Sequence, residues 1–176
     1  RLVADALARA CGAPRGRLDA LDAGCGTGLC GPLLRPYARR LVGVDLSSGM
    51  LERARATGIY DQLDKVELTT YLGGHPDAFD LIVSADVLIY FGPLEAVLGA
   101  AHGALRPGGL LIFTVERAFD YGAPDGYRLH SKGRYSHSHA YLRRVLPAAG
   151  FGVLAIESAK LRTESGRPVA GFVVTC

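Results

Sequence analysis

Apolar stretches of strand length alternate with helical patterns along most of this chain, and that alternation constrains its fold more than any other feature. The first five such stretches are residues 18–23, 41–45, 66–69, 79–85 and 110–115. The segments between them carry apolar residues at the spacing of an amphipathic helix. Strands joined by helices form a parallel sheet that is covered on both faces. The chain is therefore predicted to be an α/β protein.

The C-terminal part of the sequence predicts two further strands, at residues 152–159 and 168–175. Their connection, residues 160–167, is too short for a crossover helix, so this pair is predicted to be an antiparallel hairpin. We expect residues 1–176 to form one domain, a Rossmann-like three-layer sandwich. Its seven-stranded sheet should be mostly parallel, with an antiparallel last strand.

A glycine-rich turn, LDAGCGTG at residues 21–28, follows the first predicted strand and leads into a helix. Gly24, Gly26 and Gly28 allow the backbone to turn sharply and to approach a ligand, because glycine tolerates positive φ and has no Cβ. The second predicted strand ends at Asp45. An acid at that position is placed to accept hydrogen bonds from two ribose hydroxyls.

The spacing of the glycines separates two classes of nucleoside ligand. A dinucleotide fingerprint is G-x-G-x-x-G, whereas this loop is G-x-G-x-G and has Asp22 two residues before its first glycine. A carboxylate there would repel a pyrophosphate and attract the ammonium group of an amino acid. The loop therefore favours a nucleoside with a methionine tail over a nicotinamide dinucleotide, which remains the less favoured alternative.

Four motifs in order, LDAGCGTG, VGVDLSSGML, FDLIVSADVLIYF and LRPGGLLIF, resemble those of the class I S-adenosylmethionine-dependent methyltransferases. The resemblance covers about residues 18–115 and implies methyl transfer from S-adenosylmethionine, with S-adenosylhomocysteine as product. It implies that a loop of four residues wraps the methionine tail and that five further positions surround the rest of the cofactor. The loop residues are Gly24, Gly26, Thr27 and Gly28; Asp45 would hold the ribose, Leu46 and Met50 the adenine, and Asp86 and Val87 would lie beside the sulfonium.

One position departs from the family's pattern. The family often has an acid at the end of the third strand that faces the adenine amino group, and the corresponding stretch here is LTTYLG. Thr70, Tyr71 and Leu72 are expected to contact adenine instead, or Asp77 substitutes for the missing acid.

The C-terminal third carries a second resemblance. Its GRYSHS, AAGF and LRTESGRPVAGFVV stretches look like the methyltransferase domain of predicted bacterial proteins with tetratricopeptide repeats upstream. The resemblance implies that this chain is a domain of a longer polypeptide that carries such a repeat domain.

Residues 116–139 lack apolar periodicity and are rich in Gly, Tyr, Arg, His and Ser. So long an irregular connection is usually functional or mobile, and we expect it to close over the cofactor and to form much of the acceptor pocket. Tyr135 and His137 are its candidate catalytic residues, because a histidine titrates near neutral pH. The alternative is that these residues build a turn and a helix cap.

Composition excludes several other classes. The net charge is +3 and the arginines are scattered, so bulk nucleic-acid binding is not expected. Four irregularly spaced cysteines indicate neither disulfides nor a metal site. The longest apolar run, residues 109–115, is far shorter than the roughly 20 residues of a membrane span, and without a leader the chain is expected to be cytoplasmic. The acceptor is expected to be a small molecule or a protein; a catalytically inactive cofactor-binding module is the alternative function.

Overall fold

The computed structural model describes residues 1–176, apart from the side chain of Asp120. The helices and strands, in chain order, are α1 (Leu2–Cys11), β1 (Leu18–Ala23), α2 (Gly31–Leu34), β2 (Ala38–Asp45), α3 (Ser48–Ala56), β3 (Gln62–Lys65), α4 (Leu68–Gly73), β4 (Phe79–Ser84), α5 (Glu95–Ala104), β5 (Leu105–Ala118), β6 (Tyr127–Leu129), β7 (Tyr135–Ser138), α6 (His139–Ala148), β8 (Ala155–Glu164) and β9 (Arg167–Thr175).

The main sheet has the order β3-β2-β1-β4-β5-β9-β8. Its first five strands are parallel, and β9 pairs antiparallel with β5 on one side and with β8 on the other. The predicted fold class is therefore confirmed, including the C-terminal hairpin and the antiparallel last strand.

A second, smaller hairpin extends the sheet at its carboxyl edge. Strand β7 pairs in parallel with the last residues of β5, and β6 pairs antiparallel with β7. Glu116 pairs with Ser136 of β7 and also with Gly171 of β9, so the two partners lie on opposite sides of β5. The prediction of an irregular segment over residues 116–139 was wrong, because strands of three and four residues are too short to show an apolar period.

The third strand lies earlier in the chain than the sequence predicted. Strand β3 pairs in parallel with the end of β2, and residues 66–69, predicted as a strand, lead into α4. The carboxylate of Glu67 caps this helix by accepting hydrogen bonds from the amides of Thr69 (2.9 Å) and Thr70 (2.7 Å). The two β-branched threonines favour a strand, but the cap satisfies the free amides of a first helical turn and a helix forms.

The core lies on both faces of the sheet, as a three-layer fold requires. On one face α1 and α2 bury side chains such as Leu7 and Leu34 against β1 and β4. On the other face α4, α5 and α6 bury Leu98 and Leu142 among the remaining strand residues. Full burial of one leucine contributes about 2 kcal/mol, so these two layers hold the carboxyl ends of the strands in fixed positions.

Two serines begin helices at the carboxyl edge. The hydroxyl of Ser47 accepts a hydrogen bond from the amide of Met50 (3.4 Å), and that of Ser138 accepts one from Tyr141 (3.2 Å). Each cap satisfies an amide of a first helical turn that has no partner within the helix. None of the helices described is long and apolar enough to cross a membrane.

Candidate functional site

A cleft of about 680 Å³ opens at the carboxyl ends of β1, β2 and β4. This is the edge where open α/β sheets bind ligands. Nine of the residues predicted for the cofactor line it: Asp22, Gly24, Gly26, Thr27, Asp45, Leu46, Met50, Asp86 and Val87.

The glycines of the loop are required for different physical reasons. All three have positive φ, at 79° for Gly24, 54° for Gly26 and 90° for Gly28. A Cβ on Gly24 would lie 2.2 Å from a methyl of Val87, so the loop and the end of β4 pack against each other there. A Cβ on Gly26 would meet nothing within 4 Å, which places this glycine against the open space of the cleft.

Gly28 does not face the cleft. A Cβ there would lie 3.2 Å from the ring of Tyr60, behind the loop. The sequence grouped Gly28, the third glycine of the motif, with the residues that bind the cofactor. In the structure it packs against Tyr60 inside the protein instead.

Asp45 organises the loop as well as lining the cleft. Its Oδ2 accepts a hydrogen bond from the amide of Gly26 (2.9 Å), and its Oδ1 accepts one from the amide of Ser47 (2.8 Å). A carboxylate oxygen accepts more than one hydrogen bond, so both oxygens retain capacity for a ligand. The position is compatible with the predicted contact to ribose hydroxyls.

Asp22 is a buried acid at the floor of the cleft, with 2% of its surface exposed. The hydroxyl of Tyr60 donates a hydrogen bond of 2.6 Å to its Oδ2. Burial raises the pKa of Asp22 to about 7, the hydrogen bond from Tyr60 opposes that rise, and the charge of Asp45 adds to it. Asp22 thus changes charge near neutral pH, unlike an ordinary aspartate.

Asp86 follows β4 with φ of 58°, a left-handed conformation that is strained for an aspartate. Its amide donates to the Thr114 hydroxyl (2.9 Å), which fixes the backbone of this turn. Its Oδ1 lies 3.1 Å from a guanidinium nitrogen of Arg162. Because the Asp86 side chain is half exposed, this ion pair orients the carboxylate more than it stabilises the fold.

The adenine end of the cleft differs from the prediction. Val66, Glu67 and Leu68 line it beside Leu46 and Met50. Sequence analysis missed the first three because it assigned them to a strand. Glu67 is the N-cap of the helix that follows, but glutamate is not among the residue types that usually begin helices, so the sequence carries no clear signal there.

Tyr71 and Leu72 do not line this cleft. They lie on the face of α4 that packs on the sheet, with 6% and 2% of their surfaces exposed, and Tyr71 stacks on His75 at 4.1 Å between ring centroids. Helical rather than extended backbone turns both side chains into the core. Thr70 is absent from the lining too, and the amide of Asp77 bonds to the carbonyl of Gly103 near the end of α5, away from the cleft.

His137 and Tyr135, the predicted catalytic pair, also lie outside the cleft lining. His137 is fully buried; its Nε2 donates to the carbonyl oxygen of Gly92 (2.9 Å), and burial lowers its pKa. Tyr135 fills the space beside the same glycine, where a Cβ would lie 2.9 Å from its ring. Both residues therefore hold the segment that carries Tyr90 and Phe91, and those two side chains do line the cleft.

Four acids line the cleft: Asp22, Asp45, Glu67 and Asp86. No lysine or arginine stands among the described lining residues. A cleft of this charge favours a cationic ligand and disfavours one that carries phosphates.

Comparison with known proteins agrees with this geometry. A family model described as a methyltransferase domain matches residues 21–111, which include the glycine loop, Asp45 and Asp86. The chain belongs to the class I S-adenosylmethionine-dependent methyltransferases. This methyltransferase is similar over its whole length to the crystal structure of an S-adenosylmethionine-dependent methyltransferase from Mesorhizobium loti. The identity is 26%, the TM-score is 0.74, and the match covers 99% of this chain and 97% of the other.

Curated relatives match part of this methyltransferase. Human methyltransferase-like protein 27 is 47% identical over 116 residues, which are 65% of this chain and 47% of the relative. A malonyl-[acyl-carrier protein] O-methyltransferase from Serratia marcescens is 34% identical over 97 residues, 53% of this chain and 36% of that protein. This methyltransferase therefore spans less than half the length of either curated relative.

Proposed function

We propose that this methyltransferase transfers the methyl group of S-adenosylmethionine to an acceptor nucleophile and releases S-adenosylhomocysteine. The observation that carries the proposal is the acidic cleft with Asp22, Asp45 and Asp86 at the ends of three strands. S-adenosylmethionine presents an ammonium and a sulfonium cation, whereas a nicotinamide dinucleotide would bring a pyrophosphate next to Asp22.

The residues present fit this cofactor. Asp22 would bind its ammonium group, Asp45 would accept from its ribose hydroxyls, and Leu46 and Met50 would pack on its adenine. The open space beside Gly26 leaves room for its amino-acid tail. When bound, the cofactor supplies a methyl group on a positively charged sulfur.

The protein's contribution to the reaction is mainly positioning. Tyr90 and Phe91 form an aromatic wall on the side of the cleft next to Asp86. A neutral nucleophile that is held in line needs little proton transfer, and well-oriented reactants gain on the order of 7 kcal/mol or more from positioning alone. Relatives named O-methyltransferases make oxygen nucleophiles, small or protein-borne, the first acceptors to test.

Calorimetry on the full chain tests the cofactor assignment. S-adenosylmethionine and S-adenosylhomocysteine should bind, and NADH should not. A panel of hydroxyl and carboxyl acceptors with a methyl-labelled donor then tests transfer. Binding of NADH without binding of S-adenosylhomocysteine would replace this proposal with an oxidoreductase.

A second candidate is a cofactor-binding module without turnover. One observation favours it, since neither His137 nor Tyr135 reaches the cleft lining. Cofactor binding that persists without transfer over the whole acceptor panel would support this candidate.

We also propose that the chain is part of a longer polypeptide with tetratricopeptide repeats. The support is the likeness of the GRYSHS and LRTESGRPVAGFVV stretches described above. Mass spectrometry of the native protein measures its length and tests this. A cytoplasmic location and the absence of a nucleic-acid partner stay predictions.

A further inference from the structure

Tyr60 lies outside every recognised motif, yet its ring contacts three elements of the cofactor half. It precedes β3 and is half-buried behind the glycine loop. A Cβ on Gly28, Gly31 or Gly43 would lie within 3.2 Å of a Tyr60 atom, at 3.2, 2.9 and 3.0 Å respectively. Real Cβ atoms rarely approach a neighbour so closely, so three glycines from the loop, α2 and β2 together form a slot that admits this ring.

The ring is held in that slot by a polar contact at its tip. Its hydroxyl donates to Oδ2 of Asp22 at 2.6 Å, a short distance that is typical of a hydroxyl donating to a carboxylate. Tyr60 is the one described side chain that donates to this acid. Asp22 is itself buried and lines the cleft, so the contact selects which of its two oxygens is left for a ligand.

We propose that Tyr60 is a positioning residue of the cofactor site, which holds the Asp22 carboxylate in the orientation that receives the cofactor's ammonium group. The proposal rests on the proposed function, because it assumes that a methionine tail binds beside Asp22. It explains why glycine stands at positions 28, 31 and 43, none of which lines the cleft and one of which lies inside a strand.

The contact also bears on the charge of Asp22. Burial raises the pKa of this acid, whereas the hydrogen bond from Tyr60 lowers it. Removing the hydroxyl should therefore leave Asp22 protonated to a higher pH. The groups that face Asp22 include Tyr60 itself, Asp45, and the thiols of Cys25 and Cys30, which are neutral at physiological pH because burial raises the pKa of each to about 12.

The variant that tests the proposal is Tyr60→Phe, which keeps the ring in its slot and removes the hydroxyl. Two ligands are compared by calorimetry: S-adenosylhomocysteine, which has the ammonium group, and 5′-methylthioadenosine, which has the same nucleoside without it. We expect the dissociation constant of S-adenosylhomocysteine to rise roughly tenfold, and that of methylthioadenosine to stay within about twofold. The pH at which S-adenosylhomocysteine binding is half-maximal should also move upward.

A double-mutant cycle shows whether the hydroxyl acts through Asp22. In an Asp22→Asn background, Tyr60→Phe should have little further effect on S-adenosylhomocysteine binding. Tyr37→Phe, which alters another half-buried tyrosine on the α1 side of the sheet, is the matched control and should leave both ligands unaffected.

If Tyr60→Phe does not fold, Gly31→Ala tests the same contact. Its methyl would lie 2.9 Å from the Tyr60 hydroxyl and should weaken the same ligand selectively, whereas Gly49→Ala, with no atom within 4 Å, should not. Equal weakening of both ligands, or no change in either, would overturn the positioning role. If the unmodified protein binds neither ligand, the proposed function fails first and this inference fails with it.

Discussion

The backbone amide of Gly26 donates a 2.9 Å hydrogen bond to Oδ2 of Asp45, which joins the glycine loop to the end of β2. The acid that would hold the ribose therefore also holds the loop that would hold the methionine tail. A substitution at either residue should affect both ends of the cofactor.

Asp45→Ala should weaken S-adenosylhomocysteine binding by a factor of at least about one hundred, because hydrogen bonds to a charged acceptor contribute about 1.5 to 3 kcal/mol each. Methylthioadenosine binding should weaken as well, since the ribose contact is common to both ligands. Calorimetry measures both constants, with the exposed Asp5→Ala as control. An unchanged constant in a folded Asp45→Ala protein would remove this acid from the site.

Asp22→Asn should change how stability depends on pH. A carboxyl whose pKa is raised by folding gives stability that is complete below its ordinary value of 3.8 and is lost as the pH rises through the folded value of about 7. The melting temperature of the unmodified protein should therefore fall between pH 3.8 and about pH 7. This fall should be absent from the variant. Differential scanning calorimetry at pH 5 and pH 8 compares the two, and parallel pH profiles would contradict a buried titrating Asp22.

The same acid should couple cofactor binding to proton release. An ammonium ligand favours the ionised carboxylate, so the affinity for S-adenosylhomocysteine should increase as the pH rises toward 7. Binding enthalpies at pH 6.5 in buffers of different ionisation enthalpy report the number of protons released. The release should disappear in Asp22→Asn; a release that remains there would assign it to another group.

Gly24→Ala should destabilise the protein more than Gly108→Ala. Both positions have φ of 79°, which makes alanine unfavourable by about 1 kcal/mol at each. Only at Gly24 would the new methyl meet Val87, at 2.2 Å, whereas at Gly108 it would meet nothing within 4 Å. Urea titration gives the free energy of unfolding of each variant, and the difference between the two is the steric contribution. Equal losses of stability would mean that Val87 moves aside at no cost in free energy.

His137→Ala should lower stability more than cofactor affinity. It removes a buried hydrogen bond to Gly92 and leaves a cavity among aromatic rings, together worth about 2 to 4 kcal/mol, and the dissociation constant of S-adenosylhomocysteine should stay within about threefold. Burial lowers the pKa of His137, so its contribution is complete above the ordinary value of 6.5 and is lost as the pH falls below it. His139→Ala, at an exposed neighbour, is the control. Lost methyl transfer at full thermal stability would instead restore the catalytic role.

Much of this fold could be predicted because its strands and helices are long enough to show a period. The parallel strands β1, β2, β4 and β5 and the C-terminal hairpin follow from runs of about five or more residues with clear end signals. The segment from Val66 to Leu72 could not be assigned in that way. Its two threonines favour a strand locally, and the deciding contact, the Glu67 carboxylate on the first helical amides, is a property of the folded backbone.

The site, too, contains residues that the sequence located and residues that it did not. Gly26 and Asp45, which stand in two short contiguous motifs, lie where the sequence placed them. Tyr60 could not be found, since its partner Asp22 is 38 residues away on β1 and the glycines that admit its ring are spread from position 28 to position 43. His137 was misplaced because composition reveals a titratable ring but not whether that ring faces a ligand or the backbone of Gly92.

Near its C-terminal end β5 pairs with β7 on one side and with β9 on the other, and Glu116 takes part in both pairings. The strands on its β9 side carry core side chains, so insertions there would disturb the packing of the whole domain. The short hairpin of β6 and β7 is attached through three residues of β5 and stands beyond the end of β4. Because Ser136 and His137 of β7 are buried, the part of this hairpin that could change in length while the sheet beneath stayed the same is its exposed turn, residues 130–133.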